Sequence, residues 1–105
     1  MSKGVILLVC TIGMSSNLIV ANMQRLSERK GLDLDVYAVS APELEAFLAK
    51  REVKVLLLGP QVRYLEKELC HRLKEVKIPI GVISMKDYGN LESENILAQA
   101  IELLR

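Results

Sequence analysis

Apolar residues gather in four short runs, separated by longer stretches in which they recur every three or four positions. The runs are Gly4 to Val9, Leu34 to Val39, Val53 to Leu58 and Ile80 to Ser84, each rich in Val, Ile or Leu. Runs of this length and composition predict buried strands. The first and third are almost unbroken, which predicts burial on both faces. The second alternates more with polar residues and is expected at a sheet edge. Four helices are predicted between and after them. Ser15 to Lys30 sets Ile19, Met23 and Leu26 on one face, and Gly31 supplies a stop. Ala41 to Lys50 carries Leu44, Phe47 and Leu48 behind Ser40 as N-cap, with Pro42 and Glu43 suited to a first turn. Gln61 to Val76 carries Val62, Leu65, Leu69, Leu73 and Val76. Leu91 to Leu104 carries Ile96, Leu97, Ala100, Ile101 and Leu104. The order β-α-β-α-β-α-β-α predicts an α/β domain with a four-stranded parallel sheet and helices on both faces.

Composition supports one domain. The chain has 105 residues, half of them apolar, with few aromatics and no Trp. That length buries a core without staples. Net charge is +1, from 14 basic and 13 acidic residues without a basic stripe, which argues against a nucleic-acid partner. The longest apolar runs are too short to span a bilayer. The first residues lack the long apolar stretch and small-residue cleavage site of a signal peptide. The expectation is a cytoplasmic protein that is not itself embedded in the membrane. Cys10 and Cys70 lie far apart, and in a reducing compartment two free thiols are expected.

Candidate chemistry concentrates where the first strand ends, in Cys10-Thr11-Ile12-Gly13-Met14-Ser15-Ser16-Asn17. In open α/β sheets ligands sit beyond the carboxyl ends of the strands, near a switch in strand order. A loop there, feeding a helix, points main-chain N–H groups and the positive end of the helix dipole at one spot. Gly13 is expected to take an angle other residues resist. Ser15, Ser16 and Asn17 offer caps and further hydrogen bonds to an oxyanion. A thiol in such a cradle is expected to have a lowered pKa, and a phosphoryl group on the sulfur would use the same donors.

Competing motifs are incomplete. A low-molecular-weight phosphatase or arsenate-reductase-like enzyme is the alternative of similar architecture. The phosphatase pattern, Cys-x5-Arg-Ser/Thr, needs an arginine where Ser16 stands, so the guanidinium fork for phosphate is missing. A redox Cys-x-x-Cys is broken by Gly13. Neither the glycine-rich dinucleotide fingerprint nor the ATP-binding loop with its Gly-Lys-Ser/Thr is present. A non-catalytic module with Cys10 as packing is the third possibility.

Three segments carry a family resemblance that runs through most of the chain. They are Ile6 to Val20 around Cys10, Val55 to Tyr64 with Leu-Leu-Gly-Pro-Gln at 57–61, and Asp87-Tyr88-Gly89. Together they resemble the IIB component of the bacterial phosphoenolpyruvate-dependent sugar phosphotransferase system, in its lactose/cellobiose (chitobiose) family. Departures are Ile12, where relatives often have Ala, and Asn17, where Ser or Thr is ordinary. The resemblance implies that residues 1–105 form one IIB domain. It implies a phosphocarrier whose Cys10 takes a phosphoryl group from a phosphohistidine of a IIA protein. Cys10 then passes it to a β-linked disaccharide of the cellobiose/chitobiose kind, held by a membrane IIC component. Neither metal nor soluble cofactor is implied, and a carrier that meets two partners in turn is most simply a monomer. Gly59, Pro60, Gln61, Tyr64 and Tyr88 are candidates for the partner surface. Gly59 to Gln61 reads equally as a strand-to-helix turn, and Tyr88-Gly89 as a plain turn. Cys70, beside the apolar stripe of its helix, is expected to be structural. His71 is expected on a wet face where Glu68 and Arg72 pair.

Overall fold

In the computed structural model, which describes residues 4–11 and 13–105, four parallel strands form one sheet in the order β2-β1-β3-β4. They are β1 (Val5–Val9), β2 (Asp35–Val39), β3 (Val53–Leu58) and β4 (Ile80–Val82). The α-helices are α1 (Met14–Arg29), α2 (Leu44–Lys50), α3 (Glu66–Arg72), α4 (Met85–Gly89) and α5 (Ser93–Leu104). β1 pairs with β2 from Val5–Asp35 to Val9–Val39, and with β3 from Ile6–Val55 to Val9–Leu58. The expected fold class is present. β2 lies at an edge, and β1 and β3 are central and buried on both faces.

Alternation along β1 divides the core. Ile6, Leu8 and Cys10 face one layer, packed with Ile19 and Met23 of α1 and Ile96, Leu97 and Ala100 of α5. Val5, Leu7 and Val9 face the other, packed with Leu44 of α2 and Leu69 of α3. The period of two thus makes one strand serve both helical layers.

Several boundaries differ from the sequence expectation. The stretch predicted as a helix from Ala41 opens with a 3₁₀ turn at Ala41–Glu43, where Ser40 and Glu43 form a reciprocal cap (Ser40 N–H to Glu43 Oε1, 3.0 Å). The predicted helix from Gln61 to Val76 is a 3₁₀ turn over Pro60–Leu65 and then only α3, ending at Arg72. Pro60 fixes the first turn, Val62 departs from helical angles, and Lys77 takes a positive φ of 57° to turn the chain into β4. β4 is shorter than predicted, and α5 starts at Ser93 rather than Leu91. Cys70 is exposed, not packed in the core, because α3 buries only Leu69. His71 is exposed as expected, and Arg72 reaches both Glu68 and Glu45.

Both sheet edges meet a glutamine from a covering helix. The Val36 N–H of β2 donates to Gln24 Oε1 at 2.7 Å, and Gln99 Nε2 donates to the Val82 carbonyl of β4 at 2.9 Å.

Candidate functional site

Cys10 sits where the strand order reverses. Its N–H donates to the Val39 carbonyl of β2 at 3.0 Å, and Gly59 N–H donates to the Val9 carbonyl at 2.8 Å. The residue is therefore clamped between the carboxyl ends of β2 and β3. The clamp depends on Gly59. A β-carbon there would lie 2.9 Å from Cys10 Cβ, closer than carbon atoms approach. Pro60 follows as the first residue of the 3₁₀ turn, so Gly59 and Pro60 are turn and packing elements that set the position of Cys10.

Beyond Cys10, α1 begins at Met14 with Gly13 as N-cap. The Ser16 hydroxyl accepts from Gly13 N–H at 3.0 Å and donates to the Gly13 carbonyl at 2.9 Å, closing the turn on itself. Ser16 is fully buried, whereas Thr11, Met14, Ser15 and Asn17 are exposed. The first-turn amides of α1 are left for an external acceptor, as at any helix start. Two expectations change here. Gly13 has φ −179° and open space around it, so its backbone is ordinary extended chain that any residue adopts. Ser16 spends its hydroxyl on the turn. An arginine there, as a phosphatase requires, would have to break that turn to reach a phosphate. Ile12 lies outside the described residues.

The thiol faces the α1–α5 layer and is 1% exposed. Burial pushes its pKa up from the ordinary thiol value, while the hydroxyls of Tyr88 and Ser16 act in the opposite direction. The expectation of a lowered pKa is overturned: desolvation of the anion outweighs the two hydroxyls. Tyr88 comes from α4, a short helix that the sequence reading treated as a turn. Ser84 caps it, accepting from Asp87 N–H at 3.0 Å, and this Ser-x-x-Asp spacing was the available signal. Tyr88 is buried beside Cys10 and Ser16. Burial, then the nearby Cys10 sulfur, pushes its phenol up to about 12, so it stays a proton donor.

Beside Tyr88 opens a cavity of about 240 Å³ lined by Pro60, Gln61, Met85, Tyr88 and Gly89. Met85 and Met14 are exposed on the same end of the molecule, and Arg63 reaches Met85 Sδ at 3.8 Å. Neither Met85 nor Arg63 was singled out by sequence. Tyr64 projects into solvent, 74% exposed. Of the predicted residues, the structure gathers Cys10, Gly13, Ser16, Gly59, Pro60, Gln61 and Tyr88 at the carboxyl end of β1 and β3. Among the described residues no group of three or more His, Cys, Asp or Glu is placed to hold a metal ion, and no helix is long and apolar enough to cross a membrane.

A doubly wound parallel sheet with a thiol at its switch point, ahead of a helix start, defines a class of small α/β proteins with one cysteine-centred site. The particular family follows from comparison: residues 5–99 match the model of the phosphotransferase-system lactose/cellobiose-specific IIB subunit, and the chain belongs to that family. A galactose-specific EIIB component from Lactococcus lactis subsp. cremoris is 36% identical over 107 residues, covering 99% of each chain. A cellobiose-specific EIIB component from Lactococcus lactis subsp. lactis is also 36% identical over 107 residues, with 99% of each chain covered. The solution structure of a cellobiose-specific phosphotransferase IIB component from Borrelia burgdorferi superposes with a TM-score of 0.74 at 32% identity, covering 96% of this chain and 91% of that one. IIB components are phosphotransferases that work with IIA and IIC partners.

Proposed function

We propose that Cys10 is the phosphoryl carrier of this chain. It receives the group from a phosphohistidine of a cognate IIA protein and passes it to a β-linked disaccharide of the cellobiose/chitobiose kind, held by a membrane IIC component. On this reading residues 1–105 act as one cytoplasmic, monomeric IIB domain. The observation that carries it is the position of the Cys10 sulfur. It lies at the carboxyl end of the central strand, just ahead of the α1 N-terminus, with the Tyr88 and Ser16 hydroxyls facing it.

The chemistry follows from that position. In the first step an S–P bond forms as the N–P bond of the donor breaks, and the thiol proton ends on the freed histidine nitrogen. In the second, the sugar hydroxyl oxygen attacks phosphorus, the S–P bond breaks, and the hydroxyl proton ends on the sulfur. Both are in-line displacements governed by positioning and charge stabilisation. The main-chain N–H groups of Thr11 and Met14 to Ser16 are the donors for the phosphoryl oxygens, with the helix dipole behind them. Asn17, Ile12 and Gly13 complete the loop. Tyr88, neutral at working pH, donates to sulfur or to a phosphoryl oxygen. Met14, Met85, Gln61 and Tyr64 are at the surface a partner meets. Burial, which pushes the thiol's pKa up, favours the protonated sulfur, so the proton released on transfer is carried to the donor histidine. The absence of a guanidinium at position 16 keeps the thiophosphate from being held too tightly to pass on.

The test is incubation with phosphoenolpyruvate, the general phosphotransferase proteins and a matching IIA, followed by intact-mass measurement. One added phosphoryl group that is lost in Cys10→Ser is the expected result. No adduct, or an adduct that persists in the variant, overturns the assignment.

A further inference from the structure

At the end of the sheet opposite Cys10 a cavity of about 610 Å³ opens between the start of β3, the last turn of α3, the segment entering β4 and the last turn of α5. Its floor is apolar, with Ile78, Ile80 and Leu103. Its rim carries Lys54, Lys74 and Lys77, and no acidic side chain lines it. Lys54 Nζ is already held by Glu52 at 2.9 Å. Lys74 and Lys77 are exposed and make no ion pair among the described residues. Their positive charge is free for a ligand.

Two features fix the shape. Leu103 packs onto Gly81 so closely that a β-carbon there would lie 2.8 Å from Leu103 Cδ1, which anchors the α5 wall against β4. Lys77 holds a φ of 57°, where a side chain costs roughly 1–2 kcal/mol and glycine costs little. A cation thus occupies a position where the backbone alone favours glycine. The volume falls within the roughly 300–1,000 Å³ of small-molecule sites, which combine apolar walls with a few placed polar groups.

We propose that this cavity binds a single amphiphilic organic anion, a phosphate monoester or carboxylate with an alkyl body. The head group meets Lys74 and Lys77, and the alkyl part displaces water from Ile78, Ile80 and Leu103. A sugar phosphate does not suit the floor, which offers hydroxyl groups nothing to bond. The cationic rim is limited to Lys54, Lys74 and Lys77, a match for one head group, so the ligand is a free molecule rather than a membrane surface. The site is separate from Cys10 and stands whether or not Cys10 carries phosphate.

The exposed Cys70 lies on the cavity wall, and the buried Cys10 lies at the far end, which supplies a reporter and an internal reference. Decyl phosphate, kept below its micelle-forming concentration, should slow alkylation of Cys70 by iodoacetamide at least about fivefold while leaving Cys10 unchanged. Methyl resonances of Ile80 and Leu103 should shift in the same titration. Lys74→Gln with Lys77→Gln should abolish both effects without lowering the melting temperature. Equal protection by neutral decanol, protection that survives in the double variant, no protection, or binding only to anionic phosphatidylglycerol vesicles would each overturn the proposal.

Discussion

Replacing Gly59 with alanine puts the geometry around Cys10 to a direct test. The added β-carbon would stand 2.9 Å from Cys10 Cβ, 3.2 Å from Gln61 Oε1 and 3.6 Å from Cys10 Cα. Comfortable carbon contacts begin at about 3.5 Å, so Cys10 and Gly59 must separate by roughly half an ångström or more. Gln61 is exposed and can swing aside. Cys10 Cβ cannot, because its backbone is bonded to Val39 and the neighbouring Val9 carbonyl to Gly59. Overpacking of this kind costs roughly 1–3 kcal/mol. In a domain of this size each kcal/mol lowers the melting temperature by roughly 4–8 °C, so a drop of about 4–24 °C is expected. On the proposed carrier role, displacing Cys10 should also slow phosphoryl transfer to it by about tenfold to a hundredfold. Thermal unfolding followed by circular dichroism measures the first effect, and the rate of mass gain in the reconstituted relay measures the second. Gly13→Ala is the control, since nothing lies within 4 Å of a β-carbon there. It should shift stability by less than about 1 kcal/mol. Equal melting temperatures for the two variants, with unchanged transfer in Gly59→Ala, would refute the clamp.

Three further outcomes concern Tyr88, Lys77 and the core. Tyr88 is raised from 10.0 to about 12, so between those pH values the unfolded chain releases its phenolic proton first. The stability Tyr88 contributes is complete below pH 10.0 and is lost as pH rises toward about 12; Tyr88→Phe should flatten that loss in denaturant titrations, and an unchanged slope would contradict the assignment. Lys77→Gly relieves a positive φ and should raise unfolding free energy by about 0.5–1 kcal/mol, whereas a decrease would show that the turn does not hold that angle. Leu57→Ala empties a fully buried site in the central strand and should cost roughly 2–5 kcal/mol. The same change at the partly exposed Leu104 should cost under about 1 kcal/mol, and comparable losses at both positions would overturn the placement of the core.

The sheet was legible because its signal is strong and local. The nearly unbroken apolar runs in β1 and β3 belong to strands covered on both sides, and the polar positions in β2 mark an edge. The site was legible as far as Cys10 and the residues after it, since a strand end before a helix start is written in order along the chain. Tyr88 was visible as a candidate but not as a neighbour of the sulfur, because its approach depends on α4, one turn long, whose only advertisement is Ser84-x-x-Asp87. The pKa of Cys10 was misjudged for a related reason. Sequence displays the donors in the loop, but not the depth at which Ile19 and the rest of the α1–α5 layer bury the thiol. The extension of α3 to Val76 failed because the backbone leaves helical angles at Leu73, at φ −98° and ψ 10°, although Leu73 and Val76 continue a helical stripe. Periodicity reports which residues want burial, not where the chain must bend to begin the next strand.

The glutamines at the sheet edges bear on traffic. An IIB component works with both IIA and IIC partners, and on the proposed relay its residence on each must be short. An open strand edge is the easiest place for a β protein to acquire a lasting companion, by adding one more strand. Gln24 has taken a donor of the β2 edge and Gln99 an acceptor of the β4 edge. Any newcomer must first displace a bond the chain already makes with itself. Encounters are thereby steered away from the flanks of the sheet and toward the end where Cys10 waits.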